Sequence, residues 1–192
     1  MNKTRRLTVI ALLAAISFVL MVFPQFPLIP GATFLKIDFS FVPVLIGALM
    51  LDLKSGYAIL ILRSLLKVLL NNSGVNDYIG LPMNIVAMGV LLTVIMLMVG
   101  HRELTVKRFI AGSILGTVGL TLAMVILNYV YAVPLYAMFA NFDIKATIGL
   151  GTYLLWMVIP FNLIEGVILT AVAGLVFVAL RRVITNTHSQ LN

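Results

Sequence analysis

Between Phe109 and Phe142 the chain reads FIAGSILGTVGLTLAMVILNYVYAVPLYAMFANF, 34 residues without a charged side chain. A helix needs about 20 apolar residues to cross a hydrocarbon core of about 30 Å. This stretch is long enough to do so with several turns left over. The pattern recurs on both sides of it. Uncharged runs also extend over Leu7–Leu35, Phe39–Leu51, Tyr78–His101, Ala146–Ile164 and Gly166–Leu180. Of the 192 residues 62% are hydrophobic and 10% are charged, and mean hydropathy is +1.16. Soluble domains carry about 25% charged residues. The chain therefore reads as a single membrane domain over residues 1–192 with little mass outside the bilayer. Most soluble enzyme folds are excluded, and the composition argues against a nucleic-acid reader.

The charges that separate the runs predict an all-α integral membrane protein. Its six transmembrane helices are expected at roughly 7–23, 40–52, 55–71, 79–99, 108–131 and 153–181. The second is short for a full crossing, so it must tilt, start below the surface or pack behind others. Lys3, Arg5, Arg6, Lys54, Arg102, Lys107, Arg108, Arg181 and Arg182 all fall on one side of this arrangement. Only Lys36 and Lys145 fall on the other. The positive-inside rule then puts both termini in the cytoplasm. The formal charge of +7 is accounted for by contact with anionic headgroups. Lys3, Arg5 and Arg6 resemble the charged region of a signal peptide. The following apolar run is long, however, and Pro24, Pro27 and Pro30 stand where a small-residue cleavage site would be, so the first helix is expected to be retained. Cysteine is absent and only His101 and His188 occur, so no thiolate chemistry and no metal or haem centre is expected.

Three groups of residues carry candidate chemistry. The first is the extracellular segment from Pro24 to Ser40, stiffened by its prolines and rich in apolar and aromatic residues. It reads equally well as a segment resting in headgroups and as a lid over an apolar ligand. Asp38-Phe39-Ser40 within it reads as a helix start, with Asp or Ser as cap. The second group is polar residues inside spans: Arg63 and Lys67 on one face of the third helix, Asn84, Asn128, Asn162 and Glu165. At about 1.5 Å rise per residue, Lys67, Asn84, Asn128, Asn162 and Glu165 lie in the same outer third of the membrane. Any single Asn is adequately explained as interhelical glue, and Glu165 as the counter-charge to Lys67 or Arg63. Five at one depth, opposite an apolar loop, indicate a pocket opening outward. The third group is the small-residue pair Ala11 and Ala15, suited to close helix approach within the fold or with a partner. Gly112, Gly116, Gly119 and Gly174 are further points of close approach, and Pro160 implies a kink or an irregular helix start. No G-x-x-x-x-G-K-[ST], H-E-x-x-H or G-x-S-x-G occurs, and no catalytic residues are assigned.

With these strings in place the chain resembles the riboflavin-specific substrate-binding (S) component of energy-coupling factor (ECF) transporters, which are bacterial vitamin importers. The likeness runs over nearly the whole chain. It rests on Arg6 to Ala15 with Ala11-x-x-x-Ala15, Leu35-Lys36-Ile37-Asp38-Phe39-Ser40 with Pro43, and the basic, leucine-rich stretch from Arg63 to Leu70. Asn84 after a Gly/Pro turn, Leu127-Asn128-Tyr129 with Pro134-Leu135-Tyr136, and Ile159-Pro160-Phe161-Asn162 complete it. The resemblance implies a non-enzymatic protein of the bacterial cell membrane that takes riboflavin from outside, under its first extracellular loop. Riboflavin would be a transported ligand, and no cofactor is implied. The substrate contacts it implies are Leu35, Lys36, Asp38, Phe39, Lys67, Asn84, Asn128, Tyr129, Asn162 and Glu165. Tyr131 and Trp156 are further candidates for stacking on the flavin ring. Ala11, Ala14 and Ala15 would dock onto a membrane scaffold (T) component driven by two cytoplasmic ATPases. One position departs from the pattern. Related riboflavin binders can carry Lys three residues after the Asn of Pro-Phe-Asn, where this chain has Glu165. An S component for thiamine or biotin, a structural membrane protein and an intramembrane enzyme are the alternatives. The last lacks any recognisable catalytic set.

Overall fold

The computed structural model describes residues 2–28, 35–99 and 105–189, the side chains of 177 and 180–189 excepted. The structure is almost entirely helical. Its helices are α1 (Lys3–Val22), α2 (Phe41–Met50), α3 (Leu53–Leu70), α4 (Val75–Val99), α5 (Val106–Leu127), α6 (Val133–Phe139), α7 (Ile144–Thr147), α8 (Leu150–Thr152) and α9 (Ile159–Ser189). One π-helical segment, Asn128–Ala132, joins α5 to α6, and another, Tyr153–Val158, joins α8 to α9. The segments Lys3–Val22, Val75–Val99, Val106–Phe139 and Leu150–Val176 are long and apolar enough to cross a membrane. The fifth expected helix stops at residue 131, whereas the helical path continues to Phe139. Pro134 sits at the start of α6, where a missing N–H is tolerated.

α2 explains why a ten-residue apolar helix suffices at its position. Every residue from Phe41 to Leu49 is buried. The helix is enclosed by α1, α3 and α9. α3 carries Lys54, Arg63 and Lys67, but Arg63 and Lys67 turn inward and are buried. The main core joins α2, the inner face of α3, α4 and parts of α1, α5 and α9. α4 and α5 pack against each other where Gly116 meets Leu91. A Cβ built there would be 2.8 Å from Leu91 Cδ1 and 3.3 Å from its carbonyl oxygen.

Both π segments have a cause in the sequence. A proline cannot donate to the carbonyl four residues back, and its ring crowds that carbonyl. Pro134 therefore frees the carbonyl of Val130, and Pro160 frees that of Trp156, each within a π segment. The irregular start expected at Pro160 takes this form. Pro82 does the same to Tyr78 inside α4, and there the Tyr131 hydroxyl donates to the Tyr78 carbonyl at 3.4 Å.

The segment between α1 and α2 is a small antiparallel ladder, with Phe26 opposite Ile37 and Pro27 opposite Lys36. Its tip, including the predicted features at Pro30–Phe34, lies outside the described residues, as do His101 and Arg102. Phe26 meets Phe39 edge-on, with ring centroids 6.4 Å apart. At the other end of the bundle Arg6 clasps the α2–α3 turn. It donates to Asp52 Oδ2 at 2.6 Å and to Ser55 Oγ at 2.8 Å. Asp52 also caps α3 by accepting from the Ser55 backbone N–H at 2.8 Å. Partial burial would push the Asp52 carboxyl up. Its bonds from the Ser55 N–H, the Ser55 hydroxyl and Arg6 outweigh that and hold it below its ordinary value.

Candidate functional site

One face of α4 presents Gly80, Met83, Asn84, Ala87 and Met88, the i, i+3, i+4, i+7, i+8 spacing that places residues along a single side of a helix. Opposite it, Met124, Asn128, Ala132 and Tyr136 descend the α5–α6 path at steps of four, carried through the π segment. Phe161 and Glu165 come from α9 and Tyr153 from the second π segment. Leu35 and Lys36 close the site from the loop. These residues enclose a cavity of about 130 Å³. A second cavity of about 440 Å³ adjoins it, bounded by Met21 and Gln25 near the loop, Lys67 of α3, Asn71 just after it, and Asp77 of α4. Lys36, Gly80, Asn84 and Tyr136 line both.

The polar groups are held in place by identifiable partners. Asn128 is buried, donates to the Met124 carbonyl at 2.8 Å and accepts from the Tyr153 hydroxyl at 2.5 Å. Arg63, fully buried, donates to the Asn84 side-chain oxygen and to the Ser40 hydroxyl. The Ser40 hydroxyl in turn donates to Asp38, which also accepts from the Ser40 N–H at 2.8 Å. Ser17 Oγ donates to the Ser40 carbonyl at 2.6 Å. Arg63 thus ties the start of α2, and through it the loop, to the α4 face of the cavity. Asp38 and Glu165 both lie within its electrostatic reach.

The expected cap at Asp38-Phe39-Ser40 differs in detail. The helix begins at Phe41 with Ser40 at the cap position, but the Ser40 side chain makes no capping bond because Asp38 and Arg63 engage its hydroxyl. Glu165 does not pair with Lys67. Lys67 is buried against Asp77 at 2.6 Å and also donates to the Asn71 carbonyl. Glu165 lines the inner cavity and makes no ion pair among the described residues, with Arg63 within its electrostatic reach.

Of the ten predicted contacts, Leu35, Lys36, Asn84, Asn128 and Glu165 line the inner cavity and Lys67 the outer one. Asp38 and Phe39 shape the loop base. Asn162 is completely buried and donates to the Val158 carbonyl at 2.7 Å, but it lines neither cavity. Tyr129 is 56% exposed and also lies outside both. Adjacent helical residues do not share a face, so Asn128 and Tyr129 could not both point inward. Trp156 is 75% exposed and the Tyr131 hydroxyl donates to the Tyr78 carbonyl, and neither residue lines either cavity. Tyr136, Tyr153, Phe161 and the three methionines were not predicted. The four-residue step from Asn128 to Tyr136 and the Met83–Met88 spacing were the available signals. On α1, Ala14 is 2% exposed and packs into the core, while Ala11 and Ala15 lie on the exposed face. Among the described residues no cluster of His, Asp or Glu could hold a metal ion.

A helical membrane protein with a cavity of mixed polar and apolar lining between its helices, and no catalytic constellation among the described residues, has the form of a small-molecule binding subunit. Residues 5–177 match the model of the family "ECF transporter, substrate-specific component", and the chain belongs to that family. It is therefore a multi-pass bacterial membrane protein of the vitamin-transport class and not an enzyme. The riboflavin transporter RibU of Streptococcus thermophilus is 53% identical over 184 residues, 96% of this chain and 86% of that protein. RibU of Leuconostoc mesenteroides is 43% identical over 190 residues, 98% of this chain and 97% of that protein. A solved structure described as the S component of a bacterial ECF transporter superposes with a TM-score of 0.77 at 29% identity. It covers 94% of this chain and 98% of its own.

Proposed function

We propose that this chain binds riboflavin from outside the cell and delivers it for ATP-driven import as the S component of an ECF transporter. The observation that carries the reading is the similarity to two riboflavin transporters over almost the whole chain. The cavity chemistry supports it. An isoalloxazine ring is flat and partly apolar, with a pyrimidine-like edge that both donates and accepts. Asn84 and Asn128 offer an amide donor and acceptor each, and Met83, Met88, Met124 and Phe161 supply polarizable apolar walls. A ring entering the outer cavity reaches Asn128 and Glu165 through the shared residues Lys36, Asn84 and Tyr136.

In this reading Leu35, Lys36, Asn84, Asn128 and Glu165 contact the ligand, and Lys67 lines the entry. Asp38 and Phe39 shape the loop as a lid, and Asn162 supports the α9 wall. Tyr136 and Tyr153 take the role first given to Tyr129. The chain forms one domain of six spans with both termini cytoplasmic, so the lid faces outside. Ala11 and Ala15 offer the small-residue strip for a membrane scaffold component, which two cytoplasmic ATPases drive. Ala14 acts from behind, by packing. The test is a titration of the purified, ligand-stripped chain with riboflavin, read by quenching of flavin fluorescence. Saturable one-to-one quenching below micromolar concentration, without competition from thiamine or biotin, is expected. No quenching by folded protein would remove riboflavin as the substrate.

A further inference from the structure

Glu165 is the one carboxyl in the lining of the inner cavity. It is 7% exposed and takes no hydrogen bond or ion pair among the described residues. A buried carboxyl without a donor has lost its hydration and gained nothing in exchange, so the arrangement is costly until a donor arrives. Arg63, within electrostatic reach, directs its hydrogen bonds to Ser40 and Asn84 instead. The two amides in the same lining stand in the opposite state. Arg63 can only donate, so the end of Asn84 that it meets is the oxygen. The Asn84 NH2 group is left without an acceptor among the described residues. The Met124 carbonyl can only accept, which fixes the Asn128 nitrogen against it, and Tyr153 donates to the Asn128 oxygen. One Asn128 N–H remains. The capacity left over on these three side chains is therefore N–H donors on the two amides and acceptor oxygens on Glu165. Glu165 offers an acceptor oxygen whether or not it carries a proton.

A ligand that answers this set carries several acceptors and one N–H donor. An oxidised isoalloxazine ring does so. It has two carbonyl oxygens and unprotonated ring nitrogens, and its only N–H is that of the imide between the carbonyls. A biotin ureido group presents the reverse, two N–H donors around one carbonyl. We propose that Glu165 is a specificity-determining residue that accepts from the imide N–H of the flavin. The Asn84 and Asn128 N–H groups are then left for the ring's acceptors. The ring sits imide edge first in the inner cavity, and the rest of the ligand extends past Lys36, Asn84 and Tyr136 into the outer one. The inference rests on the riboflavin reading above and adds to it the group that reads the imide.

The test compares riboflavin with riboflavin methylated on its imide nitrogen, by fluorescence titration of the purified full chain. The same titrations are run on Glu165→Leu, which fills a similar volume without an oxygen. The wild-type chain is expected to bind the methylated flavin roughly 10–100-fold more weakly, the range for a buried acceptor left without its donor. In Glu165→Leu riboflavin itself should weaken by a similar factor, and the gap between the two flavins should close to within about three-fold. Equal affinity of the two flavins for the wild-type chain overturns the inference and leaves riboflavin as the ligand. An undiminished gap in Glu165→Leu also overturns it, because the methyl group is then rejected by its bulk. Failure of the folded wild-type chain to bind riboflavin overturns the riboflavin reading, and this inference with it. Should Glu165→Leu not fold, the imide proton resonance of bound riboflavin labelled there with ¹⁵N decides. A resonance that differs between the wild-type chain and Glu165→Gln supports the assignment, since an amide and a carboxyl differ as acceptors. Coinciding resonances overturn it.

Discussion

Arg63→Met takes a guanidinium out of the middle of the bundle while nearly filling its volume. In the intact protein that group is fully buried, donates to Ser40 and Asn84, and lies within reach of the Asp38 and Glu165 carboxylates. Removing one partner of a buried charge network costs about 3–5 kcal/mol, because the remaining charges are left uncompensated. A chain of this size loses roughly 2–4 °C in midpoint per kcal/mol. The thermal midpoint of Arg63→Met in detergent, followed by tryptophan or dye fluorescence, should therefore fall by about 6–20 °C. Two companion variants separate charge from shape. Arg63→Lys keeps the charge but presents one compact ammonium where a planar fork held Ser40 and Asn84 together, so it should fall in between. Adding Glu165→Gln to Arg63→Met should leave most of the loss in place, because a buried carboxyl without its cation takes up a proton rather than stay charged. An unchanged midpoint in Arg63→Met would show that the guanidinium does not hold the start of α2 to α4. A recovery of about 1–3 kcal/mol on adding Glu165→Gln would refute that expectation and show that Glu165 is left charged.

Other outcomes follow from the same geometry. Asn128→Ala removes a buried amide from the cavity wall and should raise the riboflavin Kd by about ten-fold, equivalent to roughly 1.4 kcal/mol. Unchanged affinity in a folded variant would mean that Asn128 is not a ligand contact. Ala11→Trp and Ala15→Trp should abolish uptake by cells yet leave riboflavin titrations of the purified chain unaltered. Ala14→Trp should instead lower the thermal midpoint, because Ala14 faces the core. The Arg6–Asp52 clasp has a pH signature. Its folded-state carboxyl is held below the ordinary value, so its stabilisation is present above the unfolded value of about 3.9 and is lost as pH falls through the lower folded value. The midpoint of the wild-type chain should accordingly drop more steeply below about pH 4 than that of Asp52→Asn, and equal slopes would remove the clasp as a contributor.

Hydrophobic runs and charge punctuation locate helices because both follow from what a bilayer tolerates. They place the chain among membrane proteins and group Asn84, Asn128 and Glu165, which line one cavity. Height is only half of a position. The azimuth of a side chain depends on register, and two π segments intervene where the pocket is built. Asn128 and Tyr129 are both expected at the ligand although they face different ways, and Asn162 is expected there with Glu165 although Phe161 is the neighbour that lines the cavity. Lys67 was offered to Glu165 because its actual partner, Asp77, lies beyond a turn whose closure no periodicity encodes. The central burial of α2 was one of three options left open by its length, and only packing could decide among them. Arg63 was visible as an intramembrane charge, yet nothing in one dimension could show that it bridges Ser40 and Asn84.

The prolines explain why the cavity lies where it does. Pro82, Pro134 and Pro160 stand in the three helical paths that supply most of its lining, and each removes a backbone bond that a regular helix would make. In lipid such a break is tolerated only where protein or a polar cavity resatisfies the freed groups. Here the Tyr131 hydroxyl answers the Tyr78 carbonyl, and the two π segments absorb the other breaks. Distorted helices do not pack ridge into groove along their whole length, so space remains between them at the height of the breaks. Asn84, two residues beyond Pro82, and Glu165, five beyond Pro160, project into that space. The polar lining and the backbone irregularity are thus two results of the same sequence choice. A regular bundle of equal hydrophobicity would have closed over the site and left Arg63 without the polar partners that make its burial tolerable.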